Sequence, residues 1–363
     1  MIPLRRAFAW AWIASLCACG QPDADPDPAE AGYVDSWESR TVCARAVPLY
    51  NLGESCGADD FASYRLRKLT DVGARPVFSP DGRRLGFVDR HFGDVYELDL
   101  ATGERVCITC DFEHQGFWRV HYLPDGDYLL MGPRHYWGRL ASRLFSNGLY
   151  FMPSDRNRRP VWMGIRIFEG IAVSRVERRI AYARSIFGTL LPWPNRLFVA
   201  EVDAEGRIRK EREVHRSIQF VEPQDFLPGD GVLVFSRYTP DTEVMTLDLD
   251  TGKAENQSRA PGTGEEPEGL FPDGRFTLME SSRHLEKGDV GDVDIYALRL
   301  GSGGREVRRL THFDDVPGEK ASNPVVSPEG CRIAFMKGVE PESRQAMTGD
   351  SAGLYLLEAL RCR

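Results

Sequence analysis

The sequence predicts an all-β fold, a six-bladed β-propeller in which a strand from the N-terminal side completes the last blade. Three observations carry this expectation. A strand–turn–strand–loop–strand unit recurs six times, at intervals of roughly 45 to 55 residues that suit a four-stranded blade. Its strands are rich in Val, Leu, Phe and Tyr, and its turns in Asp-Gly. No stretch between the copies sustains a 3.6-residue apolar period, so helices are expected to be minor.

The clearest copy begins at Arg75-Pro76-Val77-Phe78-Ser79-Pro80-Asp81-Gly82, continues through Arg84 to Val88, and closes with Asp94 to Leu100 and Thr102-Gly103. The Asp-Gly pair supplies the positive φ that a close hairpin needs. A second copy opens at Tyr122-Leu123-Pro124-Asp125-Gly126 and runs through Tyr128–Met131 and Gly148–Met152. A degenerate third holds Ile171–Ser174, Arg179–Ala183 and Leu197–Val202. The fourth has Phe226-Leu227-Pro228-Gly229, Val232–Ser236 and Val244–Leu249. The fifth has Leu270-Phe271-Pro272-Asp273-Gly274, Phe276–Met279 and Asp294–Leu300. The sixth has Val325-Val326-Ser327-Pro328-Glu329-Gly330, Arg332–Met336 and Gly353–Leu357.

Blades one and five end in a fourth strand, Arg105 to Thr109 and Glu306 to Thr311, whereas the sixth stops after its third, at Cys362-Arg363. Tyr64-Arg65-Leu66-Arg67-Lys68-Leu69-Thr70 has the fourth-strand signature but precedes blade one. It is therefore expected to complete blade six and leave no edge strand open.

The x-P-x-F-S-P-D-G turn, the aromatic third strand ending in Asp-Leu-x-Thr-Gly and the closing Arg-Leu-Thr resemble the WD40-like repeats of TolB-type propellers. The resemblance covers nearly all of residues 64–363 and is most specific in blades one, five and six. The α/β domain that precedes the TolB propeller has no counterpart in it. The resemblance implies a protein or peptide partner, although a fold does not fix a function.

Ahead of the propeller, Arg5 and Arg6 precede a short apolar run, Ala7 to Ala18, that suits an export signal and is too short for a permanent membrane span. Leu16-Cys17-Ala18-Cys19-Gly20 resembles a bacterial lipobox, which implies cleavage of residues 1–18 and lipidation of Cys19. Gly20 in place of Asp after that cysteine points to the outer membrane rather than the inner, on its periplasmic face. Residues 19–32, rich in Pro, Asp and Ala, lack the apolar surface to offset the entropy of ordering and read as a tether. Residues 33–63 form an N-terminal extension, and 64–363 the propeller. A net charge of −8, or −10 once Arg5 and Arg6 are removed, argues against a nucleic-acid partner, which needs clustered Lys and Arg.

Six cysteines follow Cys19, and an even number in an exported chain favours disulfides. Cys331 opens the second strand of blade six and Cys362 follows its antiparallel third strand, so the two should meet. Cys43 and Cys56 are expected to close a local loop. Cys107 and Cys110 remain, but in a straight strand their Cα atoms would stand about 10 Å apart, too far for a bridge. Either the chain turns at Thr109 or both thiols stay free. Cys107-x-x-Cys110-x-x-x-His114, with His121 beyond, also has a spacing loosely compatible with zinc. Export favours the disulfide, and no cofactor or metal is expected.

Gly349-Asp350-Ser351-Ala352-Gly353 matches the G-x-S-x-G of esterase nucleophile elbows, but that motif needs a following helix and an acid and His further on. No His or Asp follows Gly353, so a small-residue turn is the better reading. The unusual polar residues gather instead in loops expected on one propeller face: Arg90 and His91; Glu113 and His114; Arg134, His135 and Trp137; Trp193; Glu280, Arg283 and His284; Glu319 and Lys320. Such a mouth suits a polar ligand or peptide. The expectation is thus an envelope-anchored, non-catalytic binding propeller for a protein, peptide or polar ligand. The alternative is a propeller enzyme, a metal-assisted lyase or lactonase-like protein acting on a carbohydrate or small ester, with His91, Glu113, His114, His135, Glu280 and His284 converging on an ion.

Overall fold

The computed structural model describes residues 40–43, 58, 61, 63–185, 195–238, 240–285, 293–339 and 350–360. Six antiparallel sheets follow one another around a ring. Blade 1 runs from Ala74–Phe78 at the axis to Arg105–Cys107 at the rim, and blade 2 from Arg119–Tyr122 to Val161–Arg166. Blade 3 runs from Phe168–Val173 to Ile208–Ser217, blade 4 from Val221–Phe226 to Ala254–Asn256, and blade 5 from Glu265–Leu270 to Val307–Arg309. Blade 6 comprises Glu319–Val326, Arg332–Val339 and Asp350–Ala359, and its fourth strand is Ser63–Lys68 from the other end of the chain.

Ring closure is therefore as the repeat pattern requires, with Tyr64 opposite Ala359 and Lys68 opposite Tyr355. A fifth strand, Arg40–Cys43, lies outside it and pairs antiparallel with Ser63–Lys68. That strand was not expected, because four residues without flanking turn signals carry no period. Helix among the described residues is limited to the 3₁₀ positions Ala58 and Phe61, Arg139–Ala141, the π-turn Ser142–Ser146 and the 3₁₀ turn Phe313–Asp315.

The turns show why the repeat is spelled as it is. In blade 1 the Ser79 hydroxyl donates to Asp81 at 2.6 Å, and the Arg83 N–H donates to the same carboxylate at 3.1 Å. Gly82 then takes φ 69° and closes the turn on the Ser79 carbonyl. In blade 4 Asp230 occupies that slot at φ 56°, so this turn reads Pro228-Gly229-Asp230 in place of Pro-Asp-Gly. The closing Thr is a clasp between third and fourth strands. Thr311 accepts the Ile295 N–H at 2.9 Å and donates to Asp294 at 2.7 Å, and Thr109 repeats this with Val95 and Asp94.

Apolar side chains from successive blades interlock in five clusters between the sheets. Phe61, Tyr64 and Leu66 from the N-terminal side enter the cluster that holds Phe335 and Leu357. Twisted sheets radiating from an axis pack against one another through their faces, so the axis itself is left to whatever the innermost strands present.

Cys107 and Cys110 form a disulfide, with Cα atoms 5.8 Å apart. The fourth strand ends at Cys107, and a turn at Thr109–Phe112 folds the chain back, as the bridge demands. This disposes of two free thiols. Cys331 is also disulfide-bonded, while its expected partner Cys362, like Cys56, lies outside the described residues. So do Cys19, the tether, Trp193 and Gly349.

Candidate functional site in the central channel

The innermost strands of blades 1, 3, 4, 5 and 6 each carry a register shift part-way along. A bulge sets two residues against one on the neighbouring strand and re-aims their side chains. Arg75, Glu169 and Asn323 take positive φ there, 54°, 47° and 51°, a conformation that costs non-glycine residues energy and concentrates at functional sites. Polar residues are thereby placed in the middle of an otherwise apolar wall.

At that level Arg119 of blade 2 reaches Glu268 of blade 5, with its Nη2 3.2 Å from both carboxylate oxygens. Blades 2 and 5 face each other in a six-membered ring, so this buried ion pair crosses the axis and bars the channel. Asn323 of blade 6 braces it, donating to Glu268 at 2.9 Å.

On one side of the bar, towards the turns between first and second strands, lies a well of about 390 Å³. Its wall alternates Phe78, Val120, Phe226, Leu270 and Val326 with Arg75, His121, Arg175 and Asp225. Arg175 pairs with Asp225 at 3.3 Å and donates to the Leu270 carbonyl at 2.5 Å. Burial, and then the charges of Arg119 and Arg75, push the His121 imidazole down to about 3. The Ser79 hydroxyl is engaged in its turn, and the Ser174 hydroxyl accepts the Val176 and Glu177 N–H groups.

On the other side, at the starts of the innermost strands, four more glutamates converge. Glu169 is held by Arg143. Glu222 and Glu266 share the Tyr238 hydroxyl, 2.7 Å from Glu222. Glu280 accepts the Asn323 backbone N–H at 2.7 Å. Burial and neighbouring Glu169 push Glu222 up to about 7, and burial and Glu268 do the same to Glu280. Burial and Glu222 raise Glu266 well above the usual carboxylate range. One hydroxyl has one proton to donate, so with both carboxylates on Tyr238 one of them must itself be protonated.

This arrangement sets a pH dependence. A carboxyl raised from 4.5 to about 7 binds more protons folded than unfolded, so stability falls as pH rises through that window. His121 and His215, both lowered from 6.5, act in the opposite sense, an effect that is half spent at pH 6.5 and fades above it as their unfolded forms lose the proton. Above 6.5 the carboxyls dominate. Folding stability is expected to fall between pH 6.5 and 8 by on the order of 1 kcal/mol per carboxyl, lowering the melting temperature, and the fall to shrink in Glu222→Gln. Thermal melts across that range check it; an unchanged slope in the variant would refute the assignment.

The loop residues singled out from sequence do not gather into one site. Glu280 and Lys320 lie at the carboxylate end of the channel, where Lys320 acts electrostatically on Glu280. His91 stacks on Trp118 at 5.0 Å between ring centroids. His114 instead braces the blade 1 clasp through Asp94 at 2.9 Å, and His284 braces that of blade 5 through Asp314, with Tyr296 at 2.8 Å. Arg283 is tied to buried Glu265 and the Ser258 carbonyl, and Glu319 to Lys337. Glu113 stands exposed in one loop and Arg134, His135 and Trp137 in another, His135 stacked on Trp137. Among the described residues two groups of donor atoms lie close enough for a metal: Asp94, Cys107 and Cys110, whose sulfurs are bridged, and His284, Asp294 and Asp314, whose two carboxylates already engage Arg309.

Sequence reading missed Arg75, Arg119, Arg143, Glu169, Glu222, Tyr238, Glu266 and Glu268. A signal was present for several: charged residues inside innermost strands, as in A-R-P-V-F, V-E-P-Q-D-F and E-E-P-E-G-L, where an apolar wall would be the default.

The fold is a TolB-like six-bladed propeller. The chain is similar to a TolB-type protein from Agrobacterium tumefaciens, at 17% identity over 66% of this chain and 81% of that one, with a TM-score of 0.51. It is also similar to a gluconolactonase from Xanthomonas campestris, at 15% identity over 88% and 97%, TM-score 0.54. A third is regucalcin, a calcium-binding protein from Agrobacterium tumefaciens, at 15% identity over 80% and 92%, TM-score 0.51. At such identities the likeness is one of fold. No protein-family model matches the sequence, and no curated protein matches it. Among the described residues no helix is long and apolar enough to cross a membrane.

Proposed function

We propose that this chain is a non-catalytic binding propeller of the cell envelope, tethered through Cys19, which receives a peptide segment or other polar ligand in the channel well. The observation that carries this reading is the Arg119–Glu268 bar. It turns an axial pore into a blind, amphipathic well with buried polar groups at its floor, the form of a binding pocket. The groups around the well do not assemble a nucleophile and base: both serine hydroxyls are bonded within turns, and His121 is too weak a base near neutrality. The likeness to a TolB-type propeller supports a protein or peptide as the ligand, and the export signal supports the envelope as its location.

Val176, exposed at the rim of the well, provides the test. The full-length protein, Val176→Trp and Trp137→Ala on the opposite face would each be used for capture from solubilised envelopes. The partner held by the native protein is expected to drop at least tenfold with Val176→Trp and to persist with Trp137→Ala. The reverse pattern would move the site to the loop face and overturn the proposal.

A further inference from the structure

We propose that the well is selective for a carboxylate attached to an apolar body, and that Arg75 is the group that selects it. This rests on the well being the binding site, and goes beyond it by naming the ligand's charge and the residue that reads it. The charged groups around the well are matched in pairs except one. Arg119 is held by Glu268, Arg175 by Asp225, and Asp230 faces Arg179 at 4.0 Å. Among the described residues no carboxylate forms an ion pair or hydrogen bond with Arg75, Glu268 and Glu169 acting on it only from further off, and its Nε is buried without a hydrogen bond. Its guanidinium lies over the Trp118 ring, 4.0 Å from the centroid, which steadies the plane but leaves the donors unmatched. The positive φ at the bulge holds it in this place.

A buried cation with no carboxylate in direct contact is costly, and its natural complement is one negative charge supplied by the ligand. A guanidinium fork matches the two oxygens of a carboxylate, and a single unmatched charge near Glu268 and Glu169 suits a monoanion better than a dianionic phosphate. The surrounding Phe78, Phe226 and Leu270 supply apolar surface for the remainder of such a ligand.

Calorimetry on the full-length protein would use N-acetyl-leucyl-phenylalanine, its C-terminal amide, phenylacetate and phenyl phosphate, with Arg75→Gln and Arg75→Lys as variants. At least one of the two carboxylates is expected to bind the native protein ten or more times tighter than the amide. That preference should vanish in Arg75→Gln and partly survive in Arg75→Lys, and binding should shift the indole N–H resonance of Trp118. The stronger of the two carboxylates tells a peptide C-terminus from a small free acid. Equal binding of acid and amide, survival of the preference in Arg75→Gln, or tighter binding of phenyl phosphate would each overturn the selectivity while leaving the well as a site. If no probe binds but Val176→Trp still abolishes capture, carboxylate selectivity fails alone; if both fail, so does the binding reading.

Discussion

Glu268→Ala is expected to cost about 3–5 kcal/mol of folding stability, because it takes the paired carboxylate from the buried Arg119 guanidinium and leaves only the more distant Glu222, Glu266 and Glu169 to oppose its charge. The penalty is that of an orphaned ion rather than the worth of the pair. Accordingly Arg119→Met combined with Glu268→Met should recover most of the loss, since a hydrophobic pair of similar volume often matches a buried salt bridge. Asn323 sharpens the expectation, as it donates to Glu268 and would be left half-satisfied in the single variant. Denaturant unfolding of the three proteins measures it. A single variant within 1 kcal/mol of the native protein would mean that water already fills the channel at that level and screens the charges. The double variant also separates folding from binding: it should restore stability while changing the floor of the well.

Removing residues 1–69 is expected to abolish a cooperatively folded monomer. Ser63–Lys68 is the fourth strand of blade 6, and its loss exposes the whole edge of Asp350–Ala359 to pairing with other chains. The deletion also takes Phe61, Tyr64 and Leu66 from the blade 5–6 core. At about 1.5–3 kcal/mol per fully buried large side chain, their loss is comparable with the 5–15 kcal/mol of a typical domain. Removing residues 1–39 keeps both N-terminal strands and should keep the fold. Size-exclusion chromatography and thermal melts of the two truncations decide the matter. A monomeric, sharply melting 70–363 fragment would show that the ring does not depend on its closing strand.

The propeller was legible because its information is local. Asp81-Gly82, Asp125-Gly126 and Asp273-Gly274 specify turns through backbone φ, and the alternating apolar strands between them specify sheets that must pack on both faces. Closure by Tyr64–Thr70 followed from counting strands, since the sixth blade lacked one. The Cys107–Cys110 bridge was half legible: the spacing posed the question, and the turn at Thr109 answered it.

The site was less legible, for a physical reason. Loop residues such as His114, Arg283 and His284 look functional because they are polar and irregularly placed, yet Asp94, Glu265 and Asp314 engage them as braces between strands. Arg75, Arg119, Glu222 and Glu268 look like ordinary strand positions, and whether such a side chain meets solvent or the axis depends on bulges and on the opposite blade. Arg119 and Glu268 stand 149 residues apart in the chain. The sequence by itself determined the number of blades, the turns and the strand that seals the ring, because these depend on neighbours within one repeat. Only the tertiary structure decided which charges share the axis, because a contact across the ring is set by the closure of all six blades and leaves no trace in the spacing of any one.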